Sequence, residues 1–442
     1  MTRNCAVGAG IGFALLHYER LDRIPLLGKD ARREFTVRMK IALNIEWVGA
    51  RRGGAEKYAG VIARELHAAG HDVHVFARGA DPGEVPDGAA LHPVVVQKWP
   101  GCGWFRAFRF ACASERALKS QSFDLIVGFN KTWYQDVYIA VAGAQPAVVE
   151  HSLQRFKGPL RRTTHKLGKI FSPKQWMFKW IEHRQFGAAA RPMHVIAPSH
   201  FVARQFHEFH GLPRSQVTVV YNGIIPTIAL TAHDVESRAA FRREQGIGDD
   251  DVALLFLARN YELKGLEPLL EAFALTAERR SQAKLIVCGG RRDEWFQNKA
   301  KELGVVERVR FLGFVEDVNQ VFLGSDAFVL PTFYDPCSLV VPEAMHYGLP
   351  VVTTEQNGAA ELVQTGVDGF VVSSPWNVGE LAEALGRLCD DEGLRVRMGG
   401  EARLRAERFT METRLKELMG VLAQYDRALP KPHVVSVAAH AA

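Results

Sequence analysis

The sequence predicts an α/β protein made of two doubly wound parallel-sheet domains that face one cleft. Three observations carry this expectation. A length of 442 residues exceeds one ordinary core and suits two domains of about 180 residues. Short Val/Ile/Leu-rich runs alternate with helical periodicity, the pattern of strands buried on both faces beneath helices. That pattern also starts twice, first at Lys40 and again near Val252.

In the first half, "KIALNIEW" reads as a strand and "VGARRGG" as a glycine-rich break. "AEKYAGVIARELHAAG" follows as a helix with Ala59, Ile62, Ala63 and Leu66 on one face. Strands are then expected at "HDVHVFA", "FDLIVGF", "VYIAVAG" and "MHVIAPS". A helix "HFVARQFHEFHG" follows Ser199, a suitable N-cap. "QVTVVYNGI" closes the first sheet, and a polar connection runs on through 238. The second half repeats the grammar: strand "VALLFLA", helix "GLEPLLEAFALTAE", strand "AKLIVCGG", helix "RDEWFQNKAKELG", strand "VRFLGFV", helix "DVNQVFLGS" and strand "DAFVLPT". A helix from near Leu339, the strands "PVVTT" and "GFVV", and one long terminal helix "EARLRAERFTMETRLKELMGVLAQYDRA" complete it. The expected limits are an extension over 1–39, domains over 40–222 and 223–410, a helix over 411–429 returning to the first domain, and a tail over 430–442. The opening "MTRNCAVGAGIGFALL" imitates a signal peptide but lacks a small-x-small cleavage site, and Met39 is an alternative start.

Hydrophobic content of 47% with 24% charged residues is globular composition, and no apolar run approaches the ~20 residues of a membrane-spanning helix. The six cysteines show neither C-x-x-C nor paired spacing with histidine. This fits a reducing, cytoplasmic compartment and argues against a zinc site. Residues 1–225 hold 31 Lys and Arg against 17 Asp and Glu, so the first half is basic and the second acidic. The excess concentrates in "QRFKGPLRRTTHKLGKIFSPKQWMFKWIEHRQF", interleaved with Phe156, Phe171, Trp176, Phe178 and Trp180. Basic plus aromatic residues suit peripheral contact with an anionic membrane surface, or a solvated helix face. No nucleic-acid-binding module is apparent, so nucleic acid is not an expected partner.

Three loops at strand ends carry the candidate chemistry. In "FYDPCSLVVPEAMHYGLPVVTTEQNG", Asp335 lies on a loop and Glu343 about one turn into the following helix, which Ser338 is placed to cap. First-turn amides there favour an anion, and the two carboxylates suit hydroxyl groups of the same molecule; alternatively, the pair is structural. In "ARNYELKG", Arg259 and Lys264 leave a loop that opens a helix, where bidentate and point-charge cations suit a diphosphate without a metal. In "VGARRGGAEK", Gly53 and Gly54 permit close backbone approach to a ligand. This is not the G-x-G-x-x-G fingerprint, which disfavours a nicotinamide dehydrogenase.

"YDPCSLVVPEAMHYGLPVVTTEQNGAAELV" resembles the donor-site signature of family 4 retaining glycosyltransferases, with Asp335-x7-Glu343 standing where that family usually has Glu-x7-Glu. "RNYELKG" is similar to its Arg…Lys pair, and "GGAEKYAGVIARELHAAGHDVHVF" to its amino-terminal glycine loop. "LIVGFNKTWYQDVYIA" further resembles the lipopolysaccharide core glucosyltransferase I group. The resemblance implies the GT-B fold of two facing Rossmann-like domains. It also implies retaining hexose transfer from a nucleotide-diphosphate sugar, UDP-glucose being expected, to a glycolipid or polysaccharide acceptor, with no cofactor and no metal.

On that resemblance Arg259 and Lys264 hold the diphosphate and Glu343 accepts the ribose hydroxyls. Asp335 sits by the donor sugar, amides near Ser338 and Leu339 support phosphate, Glu361 lines the cleft, and Gly53 and Gly54 approach from the other domain. Asp136 is the first candidate to orient the acceptor or its proton, and His151 the second. Two other readings stay open, a nucleotide-sugar epimerase and a catalytically silent carbohydrate-binding protein at the membrane. The expected location is the inner face of the cytoplasmic membrane.

Overall fold

The computed structural model describes residues 37–49, 54–96, 105–129, 131–187, 190, 192–224, 232–290 and 294–425. In chain order the first half runs β1 (Lys40–Asn44), α1 (Gly54–Ala68), β2 (Asp72–Ala77), β3 (Ala90–Pro93), α2 (Arg106–Lys119), β4 (Leu125–Gly128) and β5 (Val137–Ile139). It continues with α3 (Gln145–Leu153), α4 (Pro159–Ile170), α5 (Pro173–Phe186), β6 (His194–Ala197), α6 (His200–His210) and β7 (Val217–Val219). These strands form one parallel sheet of order β3-β2-β1-β4-β5-β6-β7.

The second half runs α7 (Ala232–Glu244), β8 (Val252–Leu257), α8 (Leu266–Ala277), β9 (Ala283–Cys288), α9 (Glu294–Glu302), β10 (Val309–Gly313), α10 (Val318–Gly324) and β11 (Ala327–Leu330). Then follow α11 (Val340–His346), β12 (Val351–Thr354), β13 (Gly369–Val372), α12 (Val378–Asp390), α13 (Glu392–Ala406) and α14 (Met411–Ala423). Its sheet is parallel with order β10-β9-β8-β11-β12-β13. Every residue of β8, β11 and β12 is buried, which is why these strands read as continuous apolar runs.

Strand order reverses direction beside β1 in one sheet and beside β8 in the other. Crevices therefore open at the carboxyl ends of β1 and β4 and of β8 and β11, where doubly wound sheets bind ligands. The chain crosses between the domains twice, and the two crossings are bonded together. Ile224 N–H donates to Phe409 O (2.9 Å) and Met411 N–H to Ile224 O (2.7 Å).

Three local expectations need correction. The terminal helix is not one piece: Thr410 is extended, and its hydroxyl accepts the Thr413 N–H at 3.3 Å to start α14. The interdomain bridge to Ile224 holds Thr410 out of the helix. After β7 the segment to 238 is not all connection, because α7 begins at Ala232; Arg238 and Arg242 on it clasp Asp326 at 2.6 and 3.0 Å. Ser338 does not cap α11. Leu339 occupies the cap position with helical dihedrals and no side chain caps the helix; the Ser338 backbone N–H donates to Asn357 Oδ1 at 3.3 Å.

Helix α14 packs on the first sheet, not the second. Leu415, Leu418 and Leu422 are fully buried against a core that includes Ile41, Leu43, Val73 and Val75. Among the described residues no helix is long and apolar enough to cross a membrane.

Candidate active site

The cleft between the domains holds a cavity of about 830 Å³. Arg259 and Lys264 reach it from the β8–α8 loop, Asp335, Ser338 and Leu339 from the β11–α11 loop, and Glu343 from α11 itself. From the first domain come Ala55, Glu56 and Lys57 at the start of α1, and Val141 and Ala142 beyond β5. Gly54 opens α1 and Gly53 lies outside the described residues.

Lys264 Nζ forms an ion pair with Asp335 Oδ2 and also donates to Tyr334 O at 3.1 Å. The expected phosphate-binding cation and the expected sugar-binding acid are thus each other's partners in the free protein. Asp335 Oδ1 accepts the Cys337 N–H at 3.2 Å, which fixes the carboxylate to its own loop. Arg259 is exposed at the mouth of the cavity.

Glu343 points into an environment where burial outweighs the attraction of Lys57, and its carboxyl is pushed up to about 7. The folded protein keeps a proton that the unfolded chain releases near its ordinary value of 4.5. The group therefore withdraws stability as pH rises from 4.5 to 7, by ~3 kcal/mol once both states are ionised. Glu343→Gln is expected to raise the thermal midpoint at pH 8 and to leave it unchanged at pH 4. A midpoint shift that is the same at both pH values would refute this account.

Three other candidates lie elsewhere. Asp136 sits before β5, at the amino end of the sheet and opposite the cleft. Its Oδ2 accepts the Ile126 N–H at 2.9 Å, so it ties β4 to the start of β5. Glu361 is turned away from the cavity. Its oxygens accept the first two amides of α6, from His200 (2.9 Å) and Phe201 (2.6 Å), and the Tyr221 hydroxyl (2.9 Å), so it joins the domains. His151, on α3, packs against the rings of Tyr334 and Phe201, with centroids 5.5 and 5.3 Å away. Burial lowers its pKa, and its Nδ1 is buried without a hydrogen-bond partner.

Tyr334 explains the placement of His151. Its hydroxyl donates to Gln205 Oε1 (3.0 Å) and Ala142 O (3.2 Å), so the loop bearing Asp335 is inserted into the first domain. Gly143, at φ +73°, makes room: a Cβ there would lie 2.1 Å from the Tyr334 hydroxyl oxygen. The cavity also takes in Asn260, Gly289, Asn319 and Tyr347, which sequence reading missed. Only Gly289, at the carboxyl end of β9 in "VCGG", carried a visible signal. Tyr347 and Asn319 meet through a 2.6 Å hydrogen bond that spacing alone does not show. Among the described residues no three His, Cys, Asp or Glu side chains gather as a metal site.

Two facing parallel-sheet domains, with cations and carboxylates brought to the cleft by the carboxyl ends of the neighbouring strands β8 and β11, define the class of two-domain glycosyltransferases. Residues 52–227 match the family model "Glycosyltransferase Family 4" and residues 237–405 match "Glycosyl transferases group 1". The chain belongs to the family 4 glycosyltransferases. It is 26% identical to the lipopolysaccharide glucosyltransferase WaaG of Escherichia coli over 79% of this chain and 90% of that one. An uncharacterized glycosyltransferase of Methanocaldococcus jannaschii is 30% identical over 55% of this chain, which spans 63% of that relative's length. Among solved structures, WaaG superposes with a TM-score of 0.69 at 23% identity, over 87% of this chain and 99% of that one. Anabaena HepE in complex with UDP-glucose superposes at 0.65 and 20% identity, over 87% and 100%. These two likenesses establish the GT-B fold.

Proposed function

We propose that the protein moves a glucosyl group, with retention of configuration, from UDP-glucose to a lipopolysaccharide-core or similar glycolipid or polysaccharide acceptor, without a metal ion. The observation that carries this reading is the convergence of Arg259, Lys264, Asp335 and Glu343 on one interdomain cavity. The sequence likeness along 90% of a lipopolysaccharide glucosyltransferase supports the choice of sugar and acceptor.

In this reading the diphosphate docks on Arg259 and Lys264, and Lys264 exchanges its Asp335 partner for phosphate oxygen. Asp335 is then free to accept sugar hydroxyls, and Glu343 accepts the ribose hydroxyls. The anomeric C–O bond to the diphosphate breaks as the acceptor oxygen bonds on the same face. The acceptor proton passes to the departing phosphate oxygen, so no side-chain nucleophile is needed. Charge that grows on the diphosphate is met by prepositioned cations, the main catalytic contribution.

Incubation with UDP-glucose and core-truncated lipopolysaccharide tests this directly. Expected is UDP release stimulated by acceptor and unchanged by EDTA. An epimerised nucleotide sugar would identify an epimerase, and no donor turnover would identify a silent binding protein. Because ribose hydroxyls bond best to an ionised carboxylate, donor affinity is also expected to rise with pH through about 7, and Glu343→Gln is expected to flatten that rise.

Peripheral membrane contact on the cytoplasmic side belongs to the same proposal. Phe171, between α4 and α5, and Trp176, near the start of α5, stand 77% and 62% exposed amid basic residues. Trp180 is committed elsewhere, packed 5.3 and 5.4 Å from the rings of Phe108 and Trp133. Phosphatidylglycerol vesicles are expected to bind the protein at low salt, and binding is expected to weaken steeply as salt screens the basic residues. Phe171→Ser with Trp176→Ser should weaken it further; undiminished binding by that variant would exclude these rings as the contact.

A further inference from the structure

Helices α3, α4 and α5 border a second pocket, of about 650 Å³ and open to solvent, outside the donor cleft; Arg162, Lys166 and Lys179 on it are exposed. Arg162, Lys166, Lys169 and Lys179 line it, against one carboxylate, Glu150. Among the described residues none of these four cations is paired with a carboxylate. Lys169 Nζ donates to Ser152 Oγ and, at 3.5 Å, to Val149 O; both acceptors are neutral. Burial and the nearby Arg155 both lower its pKa, so the charge is held at a cost that an anion would offset. Arg162 spends one donor, Nε, on Phe156 O at 2.9 Å and keeps its terminal nitrogens for another acceptor. A neighbouring amide, Gln175, is fixed by a 3.0 Å bond from Gln145.

The cavity is adjacent to the reaction site. Gln145, at its near end, begins α3 just after Val141 and Ala142, which line the donor cleft. Helix α3 runs nine residues from Gln145 to Leu153 at the far end, a length of ~13 Å. On the transfer reading, an acceptor long enough to follow that helix would place a group here while its hydroxyl enters the cleft.

We infer that this cavity binds a phosphoryl group carried by the acceptor, gripped by Arg162, Lys166, Lys169 and Lys179. The excess of cations over the single carboxylate matches a dianion better than one carboxylate, and Arg162 supplies forked donors suited to phosphate oxygens. That the ligand is an acceptor rests on the transfer reading above. That the cavity takes phosphate does not.

The test is a calorimetric titration of full-length protein saturated with UDP, so that the donor cleft is closed to the probe. Glucose 6-phosphate is expected to bind and glucose is not. Lys166→Ser with Lys169→Met should lower probe affinity about tenfold, and Arg162→Ser should lower it separately. Unchanged UDP affinity shows that each variant is folded. Full probe affinity in all variants, or equal binding of glucose, overturns the inference. Competition between the probe and phosphatidylglycerol vesicles would support the cavity and identify a lipid headgroup as the source of phosphate. Binding without competition would support it with a phosphate borne on a glycan. Loss of donor turnover with probe binding intact would remove the transfer reading and leave the cavity.

Discussion

Lys264→Ala is expected to lower kcat by about 10²- to 10³-fold, a loss of ~3–4 kcal/mol of transition-state stabilisation. Glu343→Gln is expected to act mainly on the donor KM. The difference follows from where charge changes. The diphosphate gains negative charge as the glycosidic bond breaks, whereas ribose hydroxyls keep the same contacts in ground and transition states. The free protein adds a second reason. Removing the lysine leaves Asp335, its partner in the resting cleft, as a half-buried carboxylate beside the incoming phosphate. Both effects oppose the reaction, so they add. Steady-state kinetics with UDP-glucose decide the matter, and equal losses confined to KM in both variants would contradict the assignment.

Gly265→Ala is expected to destabilise the protein by ~3 kcal/mol or more and to lower turnover as well. Gly265 follows Lys264 directly, opens α8, and has φ +81°, a left-handed conformation that alanine adopts only with strain. An added Cβ would also lie 1.9 Å from the Pro331 carbonyl oxygen. That carbonyl begins the loop leading to Asp335, so neither chain yields without moving one half of the ion pair. Urea unfolding measures the first effect. A midpoint equal to the parent's would show that the turn relaxes freely and that its glycine is dispensable.

The parallel sheets were legible because strands covered on both faces leave little choice but continuous Val, Ile and Leu, as in β8 and β11. Arg259, Lys264, Asp335 and Glu343 were legible because loops at carboxyl ends of such strands converge by topology. Their pairing was not: Lys264 and Asp335 are 71 positions apart, and only the packed sheet makes them neighbours. Glu361 was misplaced for the same reason, its partners His200, Phe201 and Tyr221 being far along the chain in the other domain. Asp136 carried a clue against itself. An acid that starts a parallel strand stands at the end away from the cleft. The cap at Ser338 failed because the helix starts one residue later than that placement requires, with Leu339, whose backbone is already helical, in the cap position.

The placement of α14 in the first domain's core has a consequence for synthesis on the ribosome. Domains generally fold in the order in which they emerge. Here the second sheet and its helices are complete by Ala406, while the first sheet still lacks the helix that seals Leu43 and Val75. The earlier domain must therefore wait, with an apolar face uncovered, until the later one has been made. A premature stop between residues 407 and 411 would spare the donor half and leave the half translated first permanently unfinished.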